Sequence, residues 1–174
     1  AIAIKLTSKG PIIFKQKRIT RDQKEFCIYK FRSMKVSDTN EVKKTTVDDD
    51  RVTVVGKIIR PLRIDETPQL FNILFGDMSI VGPRPEMKEL VDDYSAKLPE
   101  FNLRHKVKAG LTGYAQVYGQ YNTTPYDKLK FDVTYIENYS LWLDVKIMLL
   151  TFKILFQKEN TEGVDETQHT ALKE

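Results

Sequence analysis

The chain has 174 residues, 41% of them hydrophobic and 30% charged, with a formal net charge of +4; this balance fits one globular domain with a sizeable core and excludes a disordered or fibrous chain. A single cysteine, Cys27, excludes an intramolecular disulfide, and no CxxC or HxxxH spacing offers a zinc site. The charge is uneven: residues 1–35 carry ten Lys/Arg against Asp22 and Glu25 while the remainder is net acidic, so the N-terminal part suits a phosphate-bearing ligand, an anionic membrane or nucleic acid.

The chain opens on the apolar "AIAIKL", and residues 1–10 read as the stub of a hydrophobic membrane helix, although no run reaches the ~18 apolar residues of a spanning segment. Residues 12–18 and 25–32 alternate β-branched and aromatic with polar side chains around "ITRDQK", which predicts a β-hairpin. On its second strand Lys30 and Arg32 stand two apart and share a face, either solvated or turned to a ligand. Residues 37–51 are polar and aperiodic and read as a flexible loop. Residues 52–63 carry a short apolar run into a basic segment, with Gly56 and Pro61 breaking it.

Over 69–75 the apolar positions Leu70, Ile73 and Leu74 recur at helical spacing, with Thr67 placed to cap, Pro68 in the first turn and Gly76 as the stop. A second helix is predicted over 86–98, between Pro85 and Pro99. "KAGLTGYAQVYGQ" reads as a tight loop or short extended piece, and "YDKLKFDVTYIENYS" as a helix with Leu129, Val133 and Ile136 on one side. The last helix, "SLWLDVKIMLLTFKILFQ", gathers Lys146, Lys153 and Gln157 on one face. Its wide apolar arc, which includes Trp142, suits burial in the core and burial in a membrane interface equally. His105 reads as a surface residue, and His169 lies in the polar tail over 157–174. The elements add up to an α+β domain over 11–156, mostly helical, with one small antiparallel hairpin and amphipathic membrane-interface helices.

Asp65 and Glu66 open the helix after Arg63, where carboxylates cap a helix and complement its dipole. Arg60 and Arg63 lie just upstream, and "GPRP" follows the helix, with Pro83 and Pro85 holding Arg84 in an extended, stiff presentation. Guanidinium forks match phosphate oxygens bidentately. An ion-pair cluster and a site for a diphosphate with its metal both account for this grouping.

"TSKGPIIFKQKRI", "FCIYKFRSM", "DDDRVTVVGKIIRPLRIDETPQLFNILFGDMSIVGPRPE", "KAGLTGYAQVYG" and "KFDVTYIENYSLWLDVKIMLLT" together resemble the bacterial sugar transferase family, the monotopic phosphoglycosyl transferases, over about 8–151 and in family order. The resemblance implies transfer of a sugar-1-phosphate from a UDP-sugar to undecaprenyl phosphate with release of UMP, the initiating step of capsule, exopolysaccharide, O-antigen or glycan assembly. It implies Asp65 as the nucleophile of a covalent aspartyl-phosphosugar intermediate and Glu66 as its catalytic partner and Mg²⁺ ligand. Lys30, Arg84 and Asp132 fall on family active-site positions, and Arg32 and Arg60 join them as candidate substrate-binding residues. The location implied is the bacterial cytoplasmic membrane, with the catalytic domain on its cytoplasmic face and room for a homo-oligomer.

Three positions depart from the family pattern: Lys9 and Ala109 stand where proline is usual, and Thr20 where glycine is common. Two other functions compete. A basic binding module for nucleic acid is disfavoured by the absence of an RNP-like or recognition-helix pattern and by carboxylates set among the arginines, so no nucleic-acid partner is expected. A nucleotide-sugar hydrolase would use the same site without a lipid acceptor.

Overall fold

The computed structural model describes residues 1–35, 49–119 and 124–155; most of the loop predicted over 37–51, Gln157 and the polar tail lie outside them. After a short helix α1 (Ile2–Thr7), the predicted hairpin forms from β1 (Ile13–Ile19) and β2 (Glu25–Phe31), antiparallel with Ile13 opposite Phe31 and Ile19 opposite Glu25. Alternation does its expected work in β2, where Phe26 and Ile28 are buried while Glu25 and Cys27 are exposed.

Helix α2 (Val54–Ile59) runs through Gly56, which the sequence pattern reads as a break. Thr53 caps the helix by accepting from the Gly56 N–H at 3.0 Å, and a Cβ on Gly56 would lie 2.0 Å from the Ser33 carbonyl oxygen. The glycine therefore answers close packing against the exit of β2 and leaves the helix intact. A 3₁₀ turn (Ile64–Glu66) then leads into α3 (Gln69–Leu74), closed by Gly76 at φ 84°. Thr67 does not cap α3; its hydroxyl donates back to the Ile64 carbonyl at 2.8 Å.

The helical spacing in α3 holds, but of its predicted apolar positions only Ile73 packs on the core, beside two buried polar side chains. Gln69 and Asn72 are buried, whereas Leu70 and Phe71 are more than half exposed and Leu74 is 77% exposed. Asn72 explains the orientation: its amide donates to the Cys27 carbonyl at 2.8 Å and accepts from the Tyr29 N–H at 3.1 Å, so it pairs with β2 as a strand would.

The stretch predicted as a tight loop or short extended piece contains two elements. Residues Gly110–Thr112 form β4, which pairs in parallel with β3 (Ser79–Val81), and α5 (Tyr114–Tyr118) follows. A Cβ on Gly110 would lie 2.1 Å from the Gly82 nitrogen, so only glycine permits this backbone contact. Helices α4 (Lys88–Lys97), α6 (Pro125–Glu137) and α7 (Leu141–Leu155) match the predicted ones in place and type. Helix α7 is two-sided: Ile147 is buried with Val81 and Tyr135, while Leu141, Trp142, Leu149 and Phe152 face outward. Small apolar clusters join the layers, Ile19 with Val91, Phe101 and Leu129, and Phe26 and Ile28 with Met78 and Ala109. No helix among the described residues is long and apolar enough to cross a membrane.

Two of the departures from the family pattern meet in this core. Thr20 and Ala109 are both buried, and the Thr20 hydroxyl donates to the Asp77 carbonyl at 3.0 Å while accepting from the Ala109 N–H at 3.0 Å. A proline at 109 would bring no N–H and a glycine at 20 no hydroxyl, so the two replacements satisfy one another.

Candidate active site

Arg63 adopts a left-handed conformation (φ 51°) between α2 and the 3₁₀ turn, and this reversal sends Glu66 inward while Ile64 faces out. Glu66, 8% exposed, is then met from two other elements. Lys30 Nζ from β2 and Arg84 Nη2 from the GPRP segment both lie 2.8 Å from its Oε1, and Arg63 Nη1 lies 3.9 Å from its Oε2. Burial alone would push the Glu66 carboxyl up, but the Arg84 and Lys30 cations outweigh it and hold the group well below the usual carboxylate range. Lys30 is itself drawn down by burial, against the pull of Glu66.

Asp65, next in the chain, behaves oppositely. It is half-buried, and among the described residues no cation pairs with it. Burial and the Glu66 charge push its carboxyl up, against Lys30 and Arg60. Adjacent carboxylates with divergent environments can divide roles, one neutralised and held, the other more basic and free. The cations Lys30, Arg60, Arg63 and Arg84 outnumber the two carboxylates, which leaves the site positive and able to receive an anionic ligand.

The structure thus brings Asp65, Glu66, Lys30 and Arg84 together, with Arg60 near enough at the end of α2 to act on Asp65. Arg32 is elsewhere. β2 ends at Phe31, so strand alternation stops short of it, and Arg32 is buried with its guanidinium donating to the Ser8 carbonyl at 2.8 Å, the Ser8 hydroxyl at 2.7 Å and the Lys9 carbonyl. Asp132 is also apart from the Glu66 cluster: it is 1% exposed, and its Oδ2 lies 2.8 Å from Nη2 of Arg104.

Sequence reasoning missed the residues behind Arg84. Arg104 Nη2 donates to the Arg84 carbonyl at 2.9 Å and Arg18 Nη1 to the Pro85 carbonyl at 3.3 Å. Glu86 stands among Lys128 at 3.4 Å and Arg18 and Arg104 at 4.0 Å. Burial would raise the Glu86 carboxyl, yet Lys128, Arg104, Arg84 and Arg18 bring it below its ordinary value. The only signal in the sequence was the presence of arginines in segments otherwise contributing core residues. His105, expected at the surface, is 5% exposed because the 3₁₀ stretch that carries it packs against the hairpin tip and α6.

Among the described residues no group of three or more His, Cys, Asp or Glu could form a metal cage. The donors present are the Asp65 carboxylate and Oε2 of Glu66, which faces Arg63 Nη1 at 3.9 Å. That set fits Mg²⁺, which takes one or two carboxylates and draws its other ligands from water and substrate phosphates.

A family model described as bacterial sugar transferase matches residues 1–158. A UDP-N-acetylgalactosamine-undecaprenyl-phosphate N-acetylgalactosaminephosphotransferase of Aeromonas hydrophila is 46% identical over 159 residues, covering 89% of this chain and 38% of the relative. A UDP-glucose:undecaprenyl-phosphate glucose-1-phosphate transferase of Klebsiella pneumoniae is 45% identical over 157 residues, 87% of this chain and 34% of its own. One of the same name from Caulobacter vibrioides is 44% identical over 166 residues, covering 92% of this chain and 62% of the relative. The chain therefore spans little more than a third of the first two relatives, and its match to the family model runs through the hairpin, the carboxylate pair and the GPRP segment: it belongs to the bacterial sugar transferase family.

Proposed function

We propose that the protein transfers a sugar-1-phosphate from a UDP-sugar to undecaprenyl phosphate, with Asp65 as the nucleophile. The observation that carries this reading is the contrast within the dyad: Glu66 is pinned by Lys30 and Arg84, while Asp65 has no counter-ion among the described residues and a carboxyl raised by burial. A more basic carboxylate is the better nucleophile, and the cations that hold Glu66 could neutralise the oxygens on the phosphorus it would attack.

In the first step an Asp65 oxygen forms a bond to the sugar-bearing phosphorus, and the bond from that phosphorus to the bridging oxygen breaks as UMP departs. In the second, a phosphate oxygen of undecaprenyl phosphate attacks the same phosphorus and frees Asp65, leaving the sugar on a lipid diphosphate. Lys30 and Arg84 offset the charge of the transferring group in both steps. Mg²⁺, held by Asp65 and Glu66 when bound, would supply further neutralisation of the diphosphate.

The lipid acceptor has a physical counterpart in the apolar face that α3 turns outward. Phe71, Leu74 and Phe75 there, Val54 and Ile58 on α2, and Leu6 on α1 are all exposed. α1 packs against α2, and α2 against the turn that carries the dyad. An apolar surface beside an anion site suits a membrane interface at which a polyprenyl phosphate presents its head group, on the cytoplasmic side where UDP-sugars are available.

The test is UMP release from a panel of UDP-sugars by the whole encoded protein with undecaprenyl phosphate and Mg²⁺. The expected result is acceptor-dependent release with one or a few sugars, abolished by Asp65→Asn. Wild-type turnover by that variant would rule out the covalent course, and continued release without acceptor, beyond the single equivalent freed as Asp65 is charged, would favour a hydrolase.

A further inference from the structure

Arg84 reaches Glu66 from a segment whose successive carbonyls are all held, each by a different partner. Pro83 accepts from the Gly110 N–H at 2.9 Å, Arg84 from Arg104 Nη2 at 2.9 Å, Pro85 from Arg18 Nη1 at 3.3 Å, and Glu86 from the Ile19 N–H at 3.0 Å. Two of these donors are backbone groups of β-strands. The other two are guanidinium groups taken largely out of water. Arg104 is 2% exposed, lies over the Phe101 ring at 4.9 Å, and is neutralised by Asp132 through Nε at 2.9 Å and Nη2 at 2.8 Å. Arg18 is fastened by Gln16 at 2.6 Å, with Glu86 4.0 Å away.

Burying an ion pair is weak as a source of stability, since apolar side chains of similar volume do as well or better. What a buried fork provides is direction: one planar group bridges a carboxylate and a carbonyl and fixes the distance between them. Arg104 joins α6, through Asp132, to the peptide that carries Arg84. We propose that Arg104, set by Asp132, and Arg18 are positioning residues that act through Arg84, fixing the backbone from which its guanidinium meets Glu66 and the substrate phosphate. Asp132 then serves the site from behind and does not touch the substrate. This inference rests on the transferase reading above.

The experiment is a pair of double-mutant cycles in the whole encoded protein, read as kcat/KM for UMP release, with the folded fraction of each variant measured by circular dichroism. Arg104→Lys keeps a cation for Asp132 but lacks the fork, and should lower kcat/KM by about 10- to 100-fold. Arg18→Gln loses a longer bond and should lower it by about 3- to 10-fold. In an Arg84→Ala background neither substitution should reduce the residual rate further by more than about twofold, because the group they aim is gone. Multiplicative losses in both backgrounds would overturn the proposal, as would full activity of Arg104→Lys. If Arg104→Lys does not fold, the Arg18→Gln cycle decides by the same criterion. An inactive wild type with every UDP-sugar would instead defeat the transferase reading, so the two failures are distinguishable.

Discussion

Thr20→Val tests whether the two core departures from the family pattern compensate one another. The substitution preserves shape but removes the hydroxyl that takes the Ala109 N–H at 3.0 Å and gives to the Asp77 carbonyl at 3.0 Å. Both residues are buried, so water does not replace the lost partner. A stranded buried N–H costs about 1–3 kcal/mol and the lost bond to Asp77 about 1 more, which gives a destabilisation of about 2–4 kcal/mol. Ala109→Pro removes the stranded donor. In the Thr20→Val background it should therefore restore about 1–2 kcal/mol, whereas in the Thr20 background it breaks a made bond. The stiffening that proline brings to the unfolded chain is common to both backgrounds and cancels in the cycle. Urea unfolding of the four proteins in mild detergent, followed by circular dichroism, measures the coupling. A coupling below about 0.5 kcal/mol, or a double variant less stable than Thr20→Val alone, would refute the compensation.

Asn72→Leu should strip the Cys27 carbonyl and the Tyr29 N–H of their partner, lowering stability by about 2–4 kcal/mol in the same assay, and a loss under about 1 kcal/mol would show that Asn72 does not hold β2 against α3. His105 is buried with no partner for either ring nitrogen among the described residues, and burial, with Arg104 beside it, pushes its pKa down to about 4. An unfolded imidazole titrates near 6.5, so the unfolded chain binds more protons between those values. The stability His105 contributes is complete above about pH 6.5 and is lost as pH falls towards 4, by up to about 3 kcal/mol; His105→Phe should flatten that slope, and an unchanged slope would contradict the assignment. Phe71→Glu with Leu74→Glu should weaken sedimentation with phospholipid vesicles by at least about tenfold without lowering the unfolding midpoint, because both side chains face outward; vesicle binding equal to wild type would separate this face from the membrane.

Local pattern carried much of this architecture. The hairpin follows from period-two alternation, and α4, α6 and α7 from helical spacing between proline and polar boundaries. What spacing does not specify is the medium that a face meets. The apolar stripe of α3 is visible, but the outward orientation of Leu70 and Leu74 is set by Asn72 pairing with a strand 43 residues away. β3 is not legible and β4 is legible only as the short extended alternative to a tight loop, because a three-residue parallel pair has no local period and Gly110 reads as a turn former until Gly82 is seen against it. At the site, the proximity of Asp65, Glu66 and Arg84 was suggested by chain order and by family resemblance, and Lys30 by the same resemblance. Arg104 and Arg18 escaped because their contacts with the Arg84 segment span 20 and 67 residues. Thr20 and Ala109 each stand in the sequence as a separate departure, and only the fold makes them a pair.

The central claim is that Asp65 carries the phosphosugar between donor and acceptor. The most direct measurement is mass spectrometry of peptides from the whole encoded protein, quenched after incubation with a turned-over UDP-sugar and Mg²⁺ but without undecaprenyl phosphate. The account expects the mass of a phosphosugar on the peptide containing Asp65, discharged on addition of the lipid phosphate. A phosphosugar on any peptide lacking Asp65, or none at all while UMP release remains acceptor-dependent, would contradict it.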